Sequence, residues 1–151
     1  MIDTQVKDLD ALYRELRPAL VRLANLLTGS EALAEDIVQD AFIGFARHAE
    51  RVDNPHGYLR TSVVNLARTA HRRTGRVRRY RPDVVTVTHQ GEIDETWAAL
   101  RALPQRQRAV LVLRFYEDLP FEEIGRLLGC PATTARSLAH RALARMKEVL
   151  L

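Results

Sequence analysis

Six polar side chains near the end of the chain, Thr133, Thr134, Arg136, Ser137, His140 and Arg141, could do recognition chemistry. They follow Pro131, which suits the start of a helix, and hydroxyls and free amides at a helix N-terminus favour phosphate. Arg136, His140 and Arg141 are long enough to reach base edges in a major groove. The preceding residues, Phe121 to Leu128, read as a short helix closed by Gly129, so Phe121 to Arg145 has the layout of a helix-turn-helix. An ordinary helical hairpin with a solvated basic face is the other reading of that spacing. A second group, Asp36, Gln39 and Asp40, stands at i, i+3 and i+4, which puts all three on one helical surface. By spacing alone that surface is a solvated acidic face. A third group, Asn65, Arg68, Arg72 and Arg73, shares the outer part of another helix.

Catalytic chemistry has no comparable grouping. The histidines at 48, 56, 71, 89 and 140 are scattered, without the paired spacing of a metal-binding helix. There is no Gly-rich phosphate loop and no nucleophile elbow. The single cysteine, Cys130, sits in the turn, where a small residue between Gly129 and Pro131 suffices; it excludes an internal disulfide framework. No enzyme activity, cofactor or metal is expected.

Charge separates the chain into parts. The net of +4 conceals −4 over residues 1–53, with 6 basic and 10 acidic groups, and +8 over 54–82, with 8 basic and no acidic groups. Residues 83–151 carry 9 of each, but their last segment, 131–151, has 4 basic and 1 acidic. Of the 23 basic residues 21 are arginine, which a GC-rich genome also produces; it does not produce the clustering over 60–81. With 151 residues, 46% hydrophobic, the chain can build one ordinary domain or two small ones. No apolar run approaches the roughly 18 residues a membrane span needs, and the start has no basic-then-apolar signal segment. No membrane insertion and a cytoplasmic location are therefore expected.

The elements that must position these groups are helices. Tyr13, Leu16, Leu20, Leu23 and Leu27 recur at spacings of three and four, with Pro18 expected to kink or restart the run. Ser30 is placed to cap a second helix striped by Leu33, Ile37, Val38, Ala41, Phe42 and Phe45. Asn54-Pro55 starts a third, carrying Leu59, Val63, Leu66 and Ala70. The helical pattern stops from Gly75 to about Asp94, a length that spans about 55 Å extended and about 20–25 Å as coil. Short helices follow around Trp97 and Leu100, Val110 to Arg114, and Phe121 to Leu128. A last helix carries Leu138, Ala142, Leu143, Met146 and Leu150. The expected fold is all-α: two small helical domains, 1–75 and 94–151, joined by a flexible linker, 76–93.

Leu103-Pro104-Gln105-Arg106-Gln107-Arg108, Leu111 to Leu119 and Glu122-Glu123-Ile124-Gly125 together resemble region 4 of bacterial sigma factors. The small extracytoplasmic-function (ECF) group of the sigma-70 family is the nearest pattern. Thr134-Ala135-Arg136-Ser137 with His140-Arg141-Ala142 is similar to that group's −35-reading helix. Ala34 to Phe42 resembles the region 2 helix that docks on the polymerase clamp, and Pro55 to Arg73, with Tyr58-Leu59 and Asn65-Leu66-Ala67-Arg68, resembles the −10 reader. The two resemblances occur in the right order and cover about residues 9–74 and 93–149.

The resemblance implies a transcription initiation factor that binds core RNA polymerase, at the clamp region of its largest subunits, through Asp36, Gln39 and Asp40. It implies promoter DNA as the second partner. Tyr58, Asn65, Arg68, Arg72 and Arg73 would face the −10 element, with a pocket for an extruded base in the loop Arg51 to Gly57. Thr133, Thr134, Arg136, Ser137, His140 and Arg141 would read the −35 element. It also suggests sequestration by an anti-sigma factor. Tyr58 departs from a common tryptophan, and Thr69-Ala70 from a segment that often carries an acid. Leu138 departs from a commonly basic position and Ala139 from a common leucine, so the resemblance does not carry over a −35 sequence preference. A stand-alone helix-turn-helix regulator, dimeric on a two-fold site, is the competing expectation.

Overall fold

The computed structural model describes residues 2–77 and 92–150, with side chains over 8–70 and 95–150, and every regular element among them is a helix. The chain divides after Val77 into two compact units.

In the first unit α1 (Ile2–Thr28), α2 (Glu31–His48) and α3 (Pro55–Val77) each pack on the other two. Leu20, Leu23, Ala24 and Leu27 of α1 are buried against Ala34, Ile37, Val38, Ala41, Phe42 and Phe45 of α2 and Leu59, Val63, Val64 and Ala67 of α3. Each fully buried large side chain here is worth roughly 1.5–3 kcal/mol of transfer free energy. Tyr13 adds an edge-on contact to Phe42, centroids 4.8 Å apart. The boundaries follow from local chemistry. Gly29 leaves α1 at φ 76°, and the Ser30 hydroxyl accepts from the Leu33 amide at 3.2 Å to start α2. A short 3-10 turn, Ala49–Arg51, ends α2. Asn54 Oδ1 accepts from the Gly57 amide at 3.1 Å, and Pro55 takes the first position of α3.

Three expectations need correction here. Pro18 does not restart α1, which runs unbroken through it; Pro18 is exposed, so the carbonyl its missing N–H leaves unbonded can turn to water. The inward face of α3 is centred on Leu59, Val63 and Ala67, with Val64, while Leu66 and Ala70 are only half-buried at its edge. Helix α3 continues past Gly75 to Val77, and α4 begins at Glu92, so the expected linker loses residues at both ends. One glycine costs a helix about 1 kcal/mol, which a run of arginines with good helix propensity can absorb. The segment 78–91, including the alternating stretch Asp83 to Thr88, lies outside the described residues.

The second unit is built on α7 (Ala132–Leu150), which packs against α4 (Glu92–Arg101), α5 (Gln105–Leu111) and α6 (Phe121–Leu128). A π-helical turn, Val112–Tyr116, continues α5, and Asp118 then takes φ 55°, a left-handed conformation that a short polar side chain tolerates. Between α6 and α7 Gly129 sits at φ 73°, and the Cys130 amide donates to the Gly125 carbonyl at 2.9 Å. This turn is tight: a Cβ on Gly125 would lie 2.4 Å from the Cys130 carbonyl oxygen. Arg108 is buried, donates to the Arg101 carbonyl at 3.1 Å, and so ties the start of α5 to the end of α4. Burial, and then the charge of Arg101, lower its pKa. The buried face of α7 is Ala135, Leu138, Ala139 and Ala142. Leu143 and Leu150, expected on that face, are 48% and 40% exposed, because the small alanines make the close contact instead.

Candidate nucleic-acid interface

Opposite the buried alanines, α7 presents Thr133, Arg136, Ser137, His140 and Arg141, all exposed, with Thr134 half-buried beside them. The structure thus brings the six residues expected to read DNA onto one helix, at its N-terminal half. There the helix dipole and free amides add to the attraction for phosphate. Leu138 and Ala139, the two departures from the expected reading pattern, both point inward, so they alter the packing beneath the reading face.

Arg136 of this face is tied to another helix. Its guanidinium meets the Glu122 carboxylate at 3.4 Å and lies 5.5 Å from the centroid of the Phe121 ring. Arg114 lies over the same ring at 4.6 Å and donates to the Leu119 carbonyl at 3.1 Å.

The first unit holds two further candidate surfaces. Asp36, Gln39 and Asp40 lie exposed along α2. Their neighbour Glu35 is engaged internally by Arg17 of α1, whose pKa is raised by its bond to Tyr13 and then by Glu35. Ile43, one turn beyond Gln39 and Asp40, is 49% exposed, and with Gln39 it borders a cavity of about 450 Å³. Sequence reasoning missed Ile43, although its i+7 spacing from Asp36 could have found it. On α3, Asn65 is exposed and Arg68 half-buried, one turn apart on the same side. Arg72 and Arg73 follow on the same helix, but their side chains lie outside the described residues. Tyr58 is half-buried with its ring 5.7 Å from that of Phe45, so it is partly packed into the domain. Arg51 and Pro55, from the loop expected to hold an extruded base, line a cavity of about 710 Å³ together with Leu12, Phe45 and His48. That volume is in the range of small-molecule sites.

Two other features were not anticipated. Phe115 is 65% and Tyr116 39% exposed, at the end of the π turn. Phe121, read only as the start of a short helix, is the platform beneath two arginines. Among the described residues no three His, Cys, Asp or Glu side chains group so as to hold a metal, and no helix is long and apolar enough to cross a membrane. The arrangement offers binding surfaces: one acidic, one polar and basic on α3, one basic at a helix N-terminus.

Comparison with known proteins divides the chain in the same way. Residues 12–77 match the family Sigma-70 region 2, and residues 93–146 match Sigma-70, region 4. The RNA polymerase sigma factor SigV of Bacillus subtilis is 30% identical, over 83% of this chain and 81% of that one. The ECF RNA polymerase sigma factor SigE of Mycolicibacterium smegmatis is 31% identical over 93% of this chain. The chain spans only 61% of that relative and 56% of the SigI proteins of Mycobacterium tuberculosis. Among solved structures, the extracytoplasmic function sigma factor SigJ of Mycobacterium tuberculosis superposes with a TM-score of 0.70 at 28% identity, over 91% of this chain and 53% of that one. The sigma factor RpoE of Bartonella quintana, solved with the anti-sigma factor NepR, shares the fold at a TM-score of 0.78 and 24% identity, over 95% and 97% of the two chains.

Proposed function

The chain belongs to the sigma-70 family, in its extracytoplasmic-function group, and from that premise we propose that it binds core RNA polymerase and directs it to promoters. The single observation that carries this reading is the presence, in one chain and in family order, of an outward acidic face on α2 and a basic helix-turn-helix face on α7. A regulator acting on duplex DNA alone would need only the second.

In this reading Asp36, Gln39 and Asp40 engage the clamp region of the largest polymerase subunits, with Ile43 supplying apolar contact at their edge. The α7 face holds the −35 element as duplex: Thr133 and Thr134 fix phosphates, and Arg136, Ser137, His140 and Arg141 approach base edges. Tyr58, Asn65, Arg68, Arg72 and Arg73 take the −10 element. Opening DNA gives up about 1.4 kcal/mol of stacking per base step, so a surface that favours the unpaired strand must return part of it. An extruded base in the cavity beside Arg51 and Pro55 is one such return, by the logic of base-flipping proteins. The two helical units, up to Val77 and from Glu92 onward, are the working division of labour, with the residues between them as tether. Bond making belongs to the polymerase, and the protein acts where the polymerase is, in the cytoplasm. An anti-sigma protein is the proposed regulator, since a relative of the same fold was solved with one.

Run-off transcription with purified compatible core polymerase and a genomic promoter pool tests the proposal. Discrete transcripts that require this chain are expected. A folded chain that yields none, or that binds the same DNA equally well without polymerase, overturns it.

A further inference from the structure

The stack around Phe121 has no obvious value as a structural staple. The Arg136 and Glu122 side chains are 53% and 62% exposed, and exposed pairs of this kind add little to stability and are screened by salt. Yet the contacts form a continuous chain across three elements. Arg114, in the π turn, is fixed to the Leu119 carbonyl at 3.1 Å. Its guanidinium lies 4.6 Å from the centroid of the Phe121 ring at the start of α6. Arg136 of the reading helix lies 5.5 Å from the same centroid and reaches Glu122 at 3.4 Å. A guanidinium held over an aromatic face keeps its N–H donors, which lie in its own plane, free for hydrogen bonding.

We propose that Phe121 is a positioning residue for promoter reading: its ring, anchored through Arg114, holds the Arg136 guanidinium ready for DNA. Glu122 is then the counterion that DNA displaces. Arginine otherwise has many rotamers, and ordering one such side chain on binding weakens affinity by about two- to tenfold. Phe121 would remove that loss in advance. The inference rests on the reading of α7 as the −35 recognition helix, and its test separates the two.

The full chain is assembled with core polymerase and challenged with a duplex library randomised over the upstream promoter element. Affinity and enriched base preferences are measured for Phe121→Met, Phe121→Leu, Phe121→Tyr, Arg136→Ala and Phe121→Met with Arg136→Ala. Two apolar replacements are used so that a folding failure in one leaves the other, with thermal melting as the check. Phe121→Met is expected to lose about three- to tenfold in affinity and to relax preference at the same base positions as Arg136→Ala. Phe121→Tyr, which keeps the ring, should retain both, and Phe121→Met should cost nothing further once Arg136 is alanine. An equal loss in the Arg136→Ala background would make Phe121 merely structural and overturn the inference. So would an unchanged Phe121→Met beside an impaired Arg136→Ala. If Arg136→Ala itself changes nothing, the role given to Arg136 fails and the inference with it. If the unaltered chain enriches no sequence, it is the proposed function that fails.

Discussion

The two units reach stability by different means. The first is made of three helices of 27, 18 and 23 residues, and each gives its core large side chains, leucines from α1, Ile37, Val38, Phe42 and Phe45 from α2, and Leu59, Val63 and Val64 from α3, with alanines between them. The second has helices of 10, 7, 8 and 19 residues, and its central helix contributes Ala135, Ala139 and Ala142 to the core beside a single leucine. Long helices present a wide apolar stripe and leave outward faces free for binding, so Asp36, Gln39, Asp40 and Asn65 cost the fold nothing. Short helices depend on the turns between them. The second unit therefore relies on Gly125, Gly129, Asp118 and the π turn to bring its reading helix into place.

The largest expected effects break each unit by its own weakness. Leu23 is fully buried, and Leu23→Ala should cost about 3 kcal/mol through lost burial and a residual cavity. Gly125→Val should cost about as much, because a side chain there meets the backbone of the turn, at 2.4 Å from its first carbon. For domains this small, that is roughly 15 °C in Tm. Trp97 is the only tryptophan and lies on α4, so its fluorescence reports the second unit alone. Gly125→Val should lower the fluorescence transition, whereas Leu23→Ala should leave it in place and shift only the far-ultraviolet circular dichroism. A fluorescence transition lowered by Leu23→Ala would mean that the units do not unfold independently.

The same contrast explains what could be read from residues alone. The stripes of α1 and α2 were legible because large apolar side chains at helical spacing leave few alternatives: Leu20, Leu23, Leu27, Ile37, Phe42 and Phe45 are all inside. So were the starts at Ser30 and Asn54, where capping chemistry is local. On α7 the same reasoning chose Leu143 and overlooked Ala139, since hydropathy favours the larger side chain while close helix packing favours the smaller. The π turn was invisible for a related reason: Val110 to Tyr116 is apolar throughout except for Arg114, so periodicity cannot show where the register slips. The candidate surfaces were only half legible. Spacing identified the polar faces of α2, α3 and α7, but what each would bind came from the resemblance. The ties of Arg136 to Phe121 and Glu122 cross between helices, 14 positions apart for the ion pair, and no local rule reaches that far.

A smaller effect separates the two units as binding modules. Replacing Arg136 and Arg141 by alanine should remove about 1–3 kcal/mol of discrimination per base contacted and leave affinity for core polymerase unchanged. Reversing charge at Asp36 and Asp40 to lysine should do the converse, weakening core binding by about 1–2 kcal/mol with both helices folded. Promoter selection by the holoenzyme and pull-down of core polymerase, run on both double variants, measure the two losses. If the α7 variant lost core binding in proportion to promoter selection, or the α2 variant kept its grip on core polymerase, the division of labour between α2 and α7 would be wrong.

The smallest effect concerns the boundaries themselves, and it sharpens the contrast between a fold held by stripes and one held by turns. Asn54 caps α3 through one hydrogen bond to Gly57, on an exposed part of the first unit. Asn54→Ala should therefore cost about 1 kcal/mol and Asn54→Gly only a few tenths, because glycine leaves the amide open to water. Gly129 in the second unit has nothing within 4 Å of a would-be Cβ, so its constraint is purely its φ of 73°. Gly129→Ala should cost about 1 kcal/mol through backbone strain alone, and Gly129→Asn less, since asparagine tolerates the left-handed region. Chemical denaturation of the four variants, followed by circular dichroism for the first pair and Trp97 fluorescence for the second, gives the order. Equal losses for Gly129→Ala and Gly129→Asn would show that the turn is limited by space and not by φ. In that case the second unit, like the first, would be held mainly by side-chain packing.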